Sequence, residues 1–254
     1  MLKVMSYNVL GFKGFSAQAS DRSMTKKQIF DTHLAQLDLL QPDVVIFQEA
    51  PHRQVIQHLA SALDWNYRYF ISQTGWSGSL LTKFQIRSSE TYRFNKHQGL
   101  FSRFWSRTVL LTNKGEDLVI HAAHLHDENS GLRKEELHRL AESVTKDVGH
   151  YDNLLLIGDL NHRPELEDYQ ILSATDLRDL FLSDKNNADE YGHTFLSTLP
   201  MARLDYMWGS KSMAEKITKF EVLSNRPFGD TTESGDYAVL SDHLPVMAHF
   251  EETI

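Results

Sequence analysis

The sequence contains no cysteine among its 254 residues, which excludes thiol catalysis, disulfides and thiolate metal sites. It holds only six prolines and has no Pro-, Gly- or Ser-rich linker, so one domain over residues 1–254 is expected. A chain of this length can bury a substantial core. No apolar run approaches the roughly 20 residues needed to cross a bilayer as a helix. Basic residues are also scarce, with 26 Lys and Arg against 34 Asp and Glu, a formal net charge of -8. That balance argues against a broad basic face that coats nucleic acid. It leaves room for an enzyme that handles phosphate through a metal and a few local cations. The chain opens on a strand-like segment, Leu2-Lys3-Val4-Met5, rather than a secretory leader, so a cytoplasmic location is the expectation.

What is present is a mixed α and β pattern. Val44-Val45-Ile46-Phe47 and Leu154-Leu155-Leu156-Ile157 are uninterrupted apolar runs of the kind that form strands covered on both faces. Val4 to Tyr7 is a third such run. Phe30, Leu34, Leu37 and Leu40 recur at helical spacing and predict a helix over 24–40, stopped by Pro42. Pro51 suits the first position of a second helix. Asn113-Lys114-Gly115 reads as the turn of a hairpin joining 108–112 to 117–125. A polar helix is predicted over 131–148, and further strands over 203–208, 218–224 and 244–250. Many short strands among helices favour helices packed on stacked sheets.

Several of these strands run into groups that can do chemistry. The first ends at Asn8 and the second at Gln48-Glu49. Glu49 offers a hard oxygen ligand for Mg²⁺ or Mn²⁺, or equally a carboxylate at a helix N-terminus. Asp159 and Asn161, two apart after the run 154–157, point the same way if the chain is extended there. One then holds a water or accepts its proton while the other donates to an oxyanion; an Asp/Asn turn is the plainer alternative. Asp242-His243 precedes a strand, and imidazole is the natural proton shuttle near neutral pH. Asp205, in Arg203-Leu204-Asp205-Tyr206, is the carboxylate expected to orient it. His121, His124 and His126 invite a zinc reading, but no recognised zinc spacing completes it.

In order along the chain, the motifs Ser6-Tyr7-Asn8-Val9, Gln48-Glu49, Ala123-His124-Leu125, Gly158-Asp159-Leu160-Asn161, Thr194-Phe195, Arg203-Leu204-Asp205-Tyr206 and Ser241-Asp242-His243 resemble the endonuclease/exonuclease/phosphatase superfamily, the deoxyribonuclease I-like fold. The resemblance implies a four-layer α/β sandwich, with two stacked mixed β-sheets flanked by helices, and hydrolysis of a phosphoester substrate with Mg²⁺ (or Mn²⁺). It implies that Glu49 ligates the metal, with Asn8 and Asp242 supporting the metal region. It implies that Asp159 positions or deprotonates water, that Asn161 and His124 bind phosphoryl oxygens, and that His243 works with Asp205 in proton transfer. The sequence departs from the pattern twice. Gly78-Ser79-Leu80-Leu81 lacks the carboxylate that some nuclease members offer to the histidine matching His124, and Arg133-Lys134-Glu135-Glu136 replaces the frequent Arg-x-x-Gln.

The substrate is less legible. Lys83 to Arg107 mixes Lys83, Arg87, Arg93, Lys96, Arg103 and Arg107 with Phe84, Tyr92, Phe94, Phe101, Phe104 and Trp105. Cations among aromatics suit single-stranded nucleic acid. The stretch Phe101 to Trp105 also suits a lipid interface, as in a phospholipid-headgroup hydrolase of the sphingomyelinase type. The plain alternative is that alternate residues fill the core. A non-catalytic interaction module on the same fold is a further reading, disfavoured by the complete set Glu49, Asp159, Asn161, Asp205 and His243.

Overall fold

The computed structural model describes residues 1–16, 24–92, 101–187, 190–230 and 238–251. In chain order the first strands are β1 (Leu2–Asn8), β2 (Val44–Gln48), β3 (Asn66–Phe70), β4 (Gly78–Thr82), β5 (Gln85–Tyr92) and β6 (Phe104–Leu111). They are followed by β7 (Asp117–His124), β8 (Leu154–Asp159), β9 (Arg178–Asp179), β10 (Asp205–Gly209), β11 (Ile217–Val222) and β12 (Val246–Phe250). One six-stranded sheet has the order β11-β12-β1-β2-β4-β3 and the other β5-β6-β7-β8-β10-β9. Each contains one parallel pair, β1 with β2 and β7 with β8. The helices are α1 (Lys26–Leu40), α2 (Arg53–Leu63), α3 (Ser130–Val148), α4 (Glu167–Ser173), α5 (Leu180–Ser183) and α6 (Lys211–Lys216).

The two apolar runs are uninterrupted because both of their faces are covered. Val44 and Ile46 pack between the sheets with Ile120, Leu155 and Ile157. Val45 and Phe47 face the other way, against Ile29 and Leu37 of α1 and Ile56 and Leu59 of α2. On the second sheet Leu154 and Leu156 lie under Leu137, Leu140 and Val144 of α3. The result is the four-layer sandwich, helix on sheet on sheet on helix.

Helix ends follow local chemistry. Thr25 and Gln28 form a capping box at the start of α1, which ends on Gln41 at φ 51° before Pro42. The hairpin, the polar helix and the late strands lie within a few residues of their expected bounds. The second helix starts later than Pro51 suggests: His52 caps it and Arg53 begins it. Among the described residues no helix is long and apolar enough to cross a membrane.

Most described aromatics of the cationic and aromatic stretch are buried. Phe101 and Phe104 are 0% exposed and Trp105 6%, so lipid insertion through these side chains is ruled out. The alternation in β6 simply fills the layers on both sides of the sheet. Its cations are engaged as well. Arg87 pairs with Asp117, Arg107 with Asp147, and Lys83 with Asp43. Arg93, Phe94 and Lys96 lie outside the described residues.

Candidate active site

Parallel pairing puts the ends of β1 and β2 level, Asn8 opposite Gln48, and the ends of β7 and β8 level, His124 opposite Asp159. Antiparallel β10 begins at Asp205, opposite Asp159. Functional groups from both sheets therefore meet at one end of the sandwich. Gly158 permits the approach of β8 to β7. Its φ is +152°, and a Cβ there would sit 1.8 Å from the Ala123 carbonyl oxygen.

The Asn8 Nδ2 donates to Asp159 Oδ2 at 3.0 Å and to Glu49 Oε1 at 3.1 Å. Its Oδ1 accepts from the Leu10 amide at 3.2 Å, so the amide orientation is fixed. His243 Nδ1 donates to Asp205 Oδ2 at 2.8 Å, and its Nε2 stands 3.7 Å from Asp159 Oδ2. Thr194 Oγ1 accepts from the amides of Leu204 and Asp205, at 3.2 and 3.3 Å, and holds the start of β10. Phe195 pairs with His243 along the backbone and lays its ring 5.0 Å from the imidazole.

Charge in this cluster is tightly balanced. Burial raises the Asp159 carboxyl to about 7, opposed by the positive charge of His243 and reinforced by Asp205. Burial works against protonated His243, but Asp205 and then Asp159 outweigh it and raise the imidazole to about 10. Burial also raises Glu49, against the hydrogen bond from Asn8 and the charge of Arg103. The two carboxylates thus favour the protonated imidazole of His243, while burial disfavours charge on Asp159.

Two expected geometries are different. Asn161 does not continue β8 as extended chain; the strand ends at Asp159 and Asn161 has φ 52°, a conformation that Asn tolerates. Its amide N–H donates to Asp159 Oδ1 at 3.1 Å and its Nδ2 to the Leu125 carbonyl at 2.9 Å, an Asx-type turn that still brings Asn161 into the pocket. His124 is buried, with its Nε2 against Arg103 Nη1. The same Nε2 lies 3.4 Å from Asp159 Oδ2, so this nitrogen sits between Arg103 and Asp159. Burial, and then the Arg103 charge, hold His124 well below its ordinary value, so it is neutral. Its Nδ1 has no hydrogen-bond partner among the described residues, in keeping with the missing acid at Gly78 to Leu81.

Arg103 is the residue that sequence reasoning misplaced. It is 8% exposed and lines the pocket with Glu49, Asp159, Asn161, Asp242 and His243. Its Nη2 donates to Asp127 at 2.7 Å, its Nη1 stands 4.0 Å from Glu49, and it lies 4.6 Å over the Trp76 ring. Glu136 anchors the neighbouring backbone, accepting from the amides of Ser102 and His126. That explains the departure from Arg-x-x-Gln: a carboxylate here receives two backbone donors. Arg133 reaches Asp168 at 2.7 Å and ties α3 to α4. No local pattern separates Arg103 from its neighbouring surface cations; only the fold does.

The zinc reading fails on geometry. His121 is held by Trp105 Nε1 at 3.2 Å and by Asp147 at 2.8 Å, under α3, while His124 faces Arg103. Asp159, Asp205 and His243 do bring ligand atoms within 4.8 Å of one another. Asp205 and His243 are already bonded to each other, and Glu49 and Asp242 line the same pocket as further carboxylates. Carboxylates are hard oxygen donors, so Glu49, Asp159 and Asp242 at this pocket could hold a divalent cation. Asp205 Oδ1 is buried and has no hydrogen-bond partner among the described residues.

Residues 5–243, nearly the whole chain, match the family model described as "Endonuclease/Exonuclease/phosphatase family". The chain belongs to the endonuclease/exonuclease/phosphatase family. No curated protein matches it in sequence. Solved structures show the same fold at low identity. A family protein from Leptotrichia buccalis superposes with a TM-score of 0.73 at 16% identity, covering 99% of this chain and 100% of that one. The mannosyl-6-phosphatase Bt3783 of Bacteroides thetaiotaomicron gives 0.73 at 16%, covering 98% and 99%. The 3′ phosphatase NExo of Neisseria, bound to a product DNA hairpin, gives 0.70 at 14%, covering 99% and 100%. The family is phosphoesterase in type, and the endonuclease/exonuclease/phosphatase motifs expected at Asn8, Glu49, Asp159, Asp205 and His243 all lie at one end of this sandwich.

Proposed function

We propose that the protein hydrolyses phosphoesters with Mg²⁺ or Mn²⁺ held by Glu49, with Asp242 and, through its hydrogen bond to Glu49, Asn8 supporting the metal region. The observation that carries this reading is the chain of contacts from Glu49 through Asn8 and Asp159 to His243 and Asp205, which unites five distant residues. The cation, when bound, neutralises phosphate charge and supplies Lewis-acid stabilisation of an oxyanion.

The chain's own groups do the rest. Asp159 accepts a proton from the attacking water, a task suited to a carboxyl that titrates near neutral pH. His243 Nε2 and Asp159 Oδ2 are 3.7 Å apart, too close to sit on opposite sides of a phosphorus in line. Both therefore act on the entry side: Asp159 on the water, and the His243 imidazolium as a donor to the adjacent phosphoryl oxygen. Asp205 keeps His243 protonated and oriented. Arg103, with Asn161, clamps the remaining oxygens, a role for which a planar guanidinium is well shaped.

Substrates in reach of this reading are phosphomonoesters and nucleic-acid ends, the two kinds of ester named for the Bacteroides and Neisseria neighbours. The test is a panel of phosphoesters assayed with Mg²⁺, with Asp159→Ala as the blank. Turnover that vanishes in the blank and on chelation is expected. Equal release by wild type and blank would remove the assignment.

A further inference from the structure

A second hollow, of about 460 Å³, adjoins the catalytic pocket across Arg163, which lines both. Its walls include Tyr169, Phe181, Leu182, Tyr191, Met201 and Ala202. Leu182, Tyr191 and Met201 are 63%, 78% and 55% exposed. Large apolar side chains gathered at one opening mark a binding surface more often than chance exposure. Tyr191 also stacks on His193, with ring centres 5.2 Å apart and planes 26° apart, so it presents a preformed ring platform.

Charge excludes a polyanion here. Arg203 lines the hollow but is 4% exposed, with its Nη2 on Asp179 at 2.6 Å and its guanidinium 4.9 Å from the Phe181 ring and 4.8 Å from that of Tyr206. Arg163 lies 3.9 Å from Glu165, and Glu190 adds another negative charge. Among the described residues each cation at the hollow thus has an acid to match it, and one acid is left over. A nucleic-acid backbone needs Lys or Arg for its phosphates and finds none to spare along this wall. Ring faces and thioether walls instead accept a flat, uncharged body, and the volume lies within the range of small-molecule sites.

We propose that this hollow is the leaving-group subsite, taking one uncharged ring of a small phosphoester whose phosphate lies in the catalytic pocket. The inference rests on the phosphoesterase reading above and narrows its substrate class to ring-bearing monoesters rather than polymers.

The experiment compares phenyl phosphate, a nucleoside monophosphate and a hexose phosphate with glycerol phosphate, in wild type and in the double variant Tyr191→Ala, Met201→Ala. At least one ring ester is expected to exceed glycerol phosphate at least tenfold in kcat/KM, through KM. The variant's loss on that ester should exceed its loss on glycerol phosphate by a similar factor; which ring is favoured identifies its source. Equal losses on both esters overturn the subsite. Calorimetric titration with the free ring alcohols (phenol, a nucleoside, a hexose) gives a readout independent of turnover. Binding by wild type that the variant loses supports the subsite, and no binding of any of them overturns it. If no phosphoester is turned over with Mg²⁺, the parent reading falls, while the titration still decides what the hollow holds.

Discussion

Asn8 and Asp159 join the two sheets: one amide at the end of β1 donates at 3.0 Å to a carboxylate at the end of β8 and, at 3.1 Å, to Glu49. Removing that amide leaves two acids facing each other without a donor between them. Asn8→Ala is expected to lower turnover at least about tenfold and to lower Tm, because a buried, charge-assisted hydrogen bond is lost. Unchanged kinetics and an unchanged melting curve would show that the bridge has no role.

His243→Ala should reduce kcat by at least about 10²-fold, the usual loss for a group that moves or holds a proton in the transition state. Asp205→Asn should retain the fold and lose part of the rate, because Asp205 is what raises His243 to about 10. The imidazole would then titrate lower, and the alkaline limb of the pH–rate profile should move to lower pH. A profile identical to wild type would detach Asp205 from His243.

Arg103→Lys keeps the charge but not the planar fork. A loss of at least about tenfold in kcat/KM is expected at a temperature where the variant remains folded, since Lys cannot hold His124, Asp127 and a phosphoryl oxygen together. Wild-type kcat/KM in this variant would assign Arg103 to structure alone.

Gly158→Ala should be the most damaging small substitution in the site. A Cβ would lie 1.8 Å from the Ala123 carbonyl oxygen, backbone that cannot move without breaking the β7–β8 pairing. Destabilisation of at least about 3 kcal/mol is expected, in the range reserved for overpacking and backbone strain. Denaturant melting reads it directly; a shift below about 1 kcal/mol would mean that the strands separate easily.

Acid should weaken the fold through two buried histidines. Burial lowers His33 to about 4 and His162 to about 4, whereas each returns to about 6.5 on unfolding. The unfolded chain therefore binds more protons between these values, so the stability is fully present above about pH 6.5 and declines as pH falls towards 4. Each histidine contributes on the order of 3 kcal/mol at most. His33 stacks on Phe12 at 3.9 Å, so His33→Phe should keep the packing and flatten the dependence of Tm on pH in that window. An equally steep dependence in the variant would clear His33 of that effect.

The sequence by itself determined the layers and the chemistry on offer. Runs such as Val44–Phe47 and Leu154–Ile157 are of the kind that form strands covered twice, and Asn8, Glu49, Asp159, Asp205 and His243 stand out because each adjoins such a run or a strand expected beside it. Pattern could not say where Arg103 and Phe101 to Trp105 go, since strand alternation places the same residues on a surface or between layers with equal ease. Tertiary structure decided that, because only sheet stacking sets which face of β6 is covered. It also decided that Asn161 turns back through a left-handed residue and that His124 is buried against Arg103. Those outcomes depend on distances between chain segments far apart in sequence, which short-range spacing does not encode.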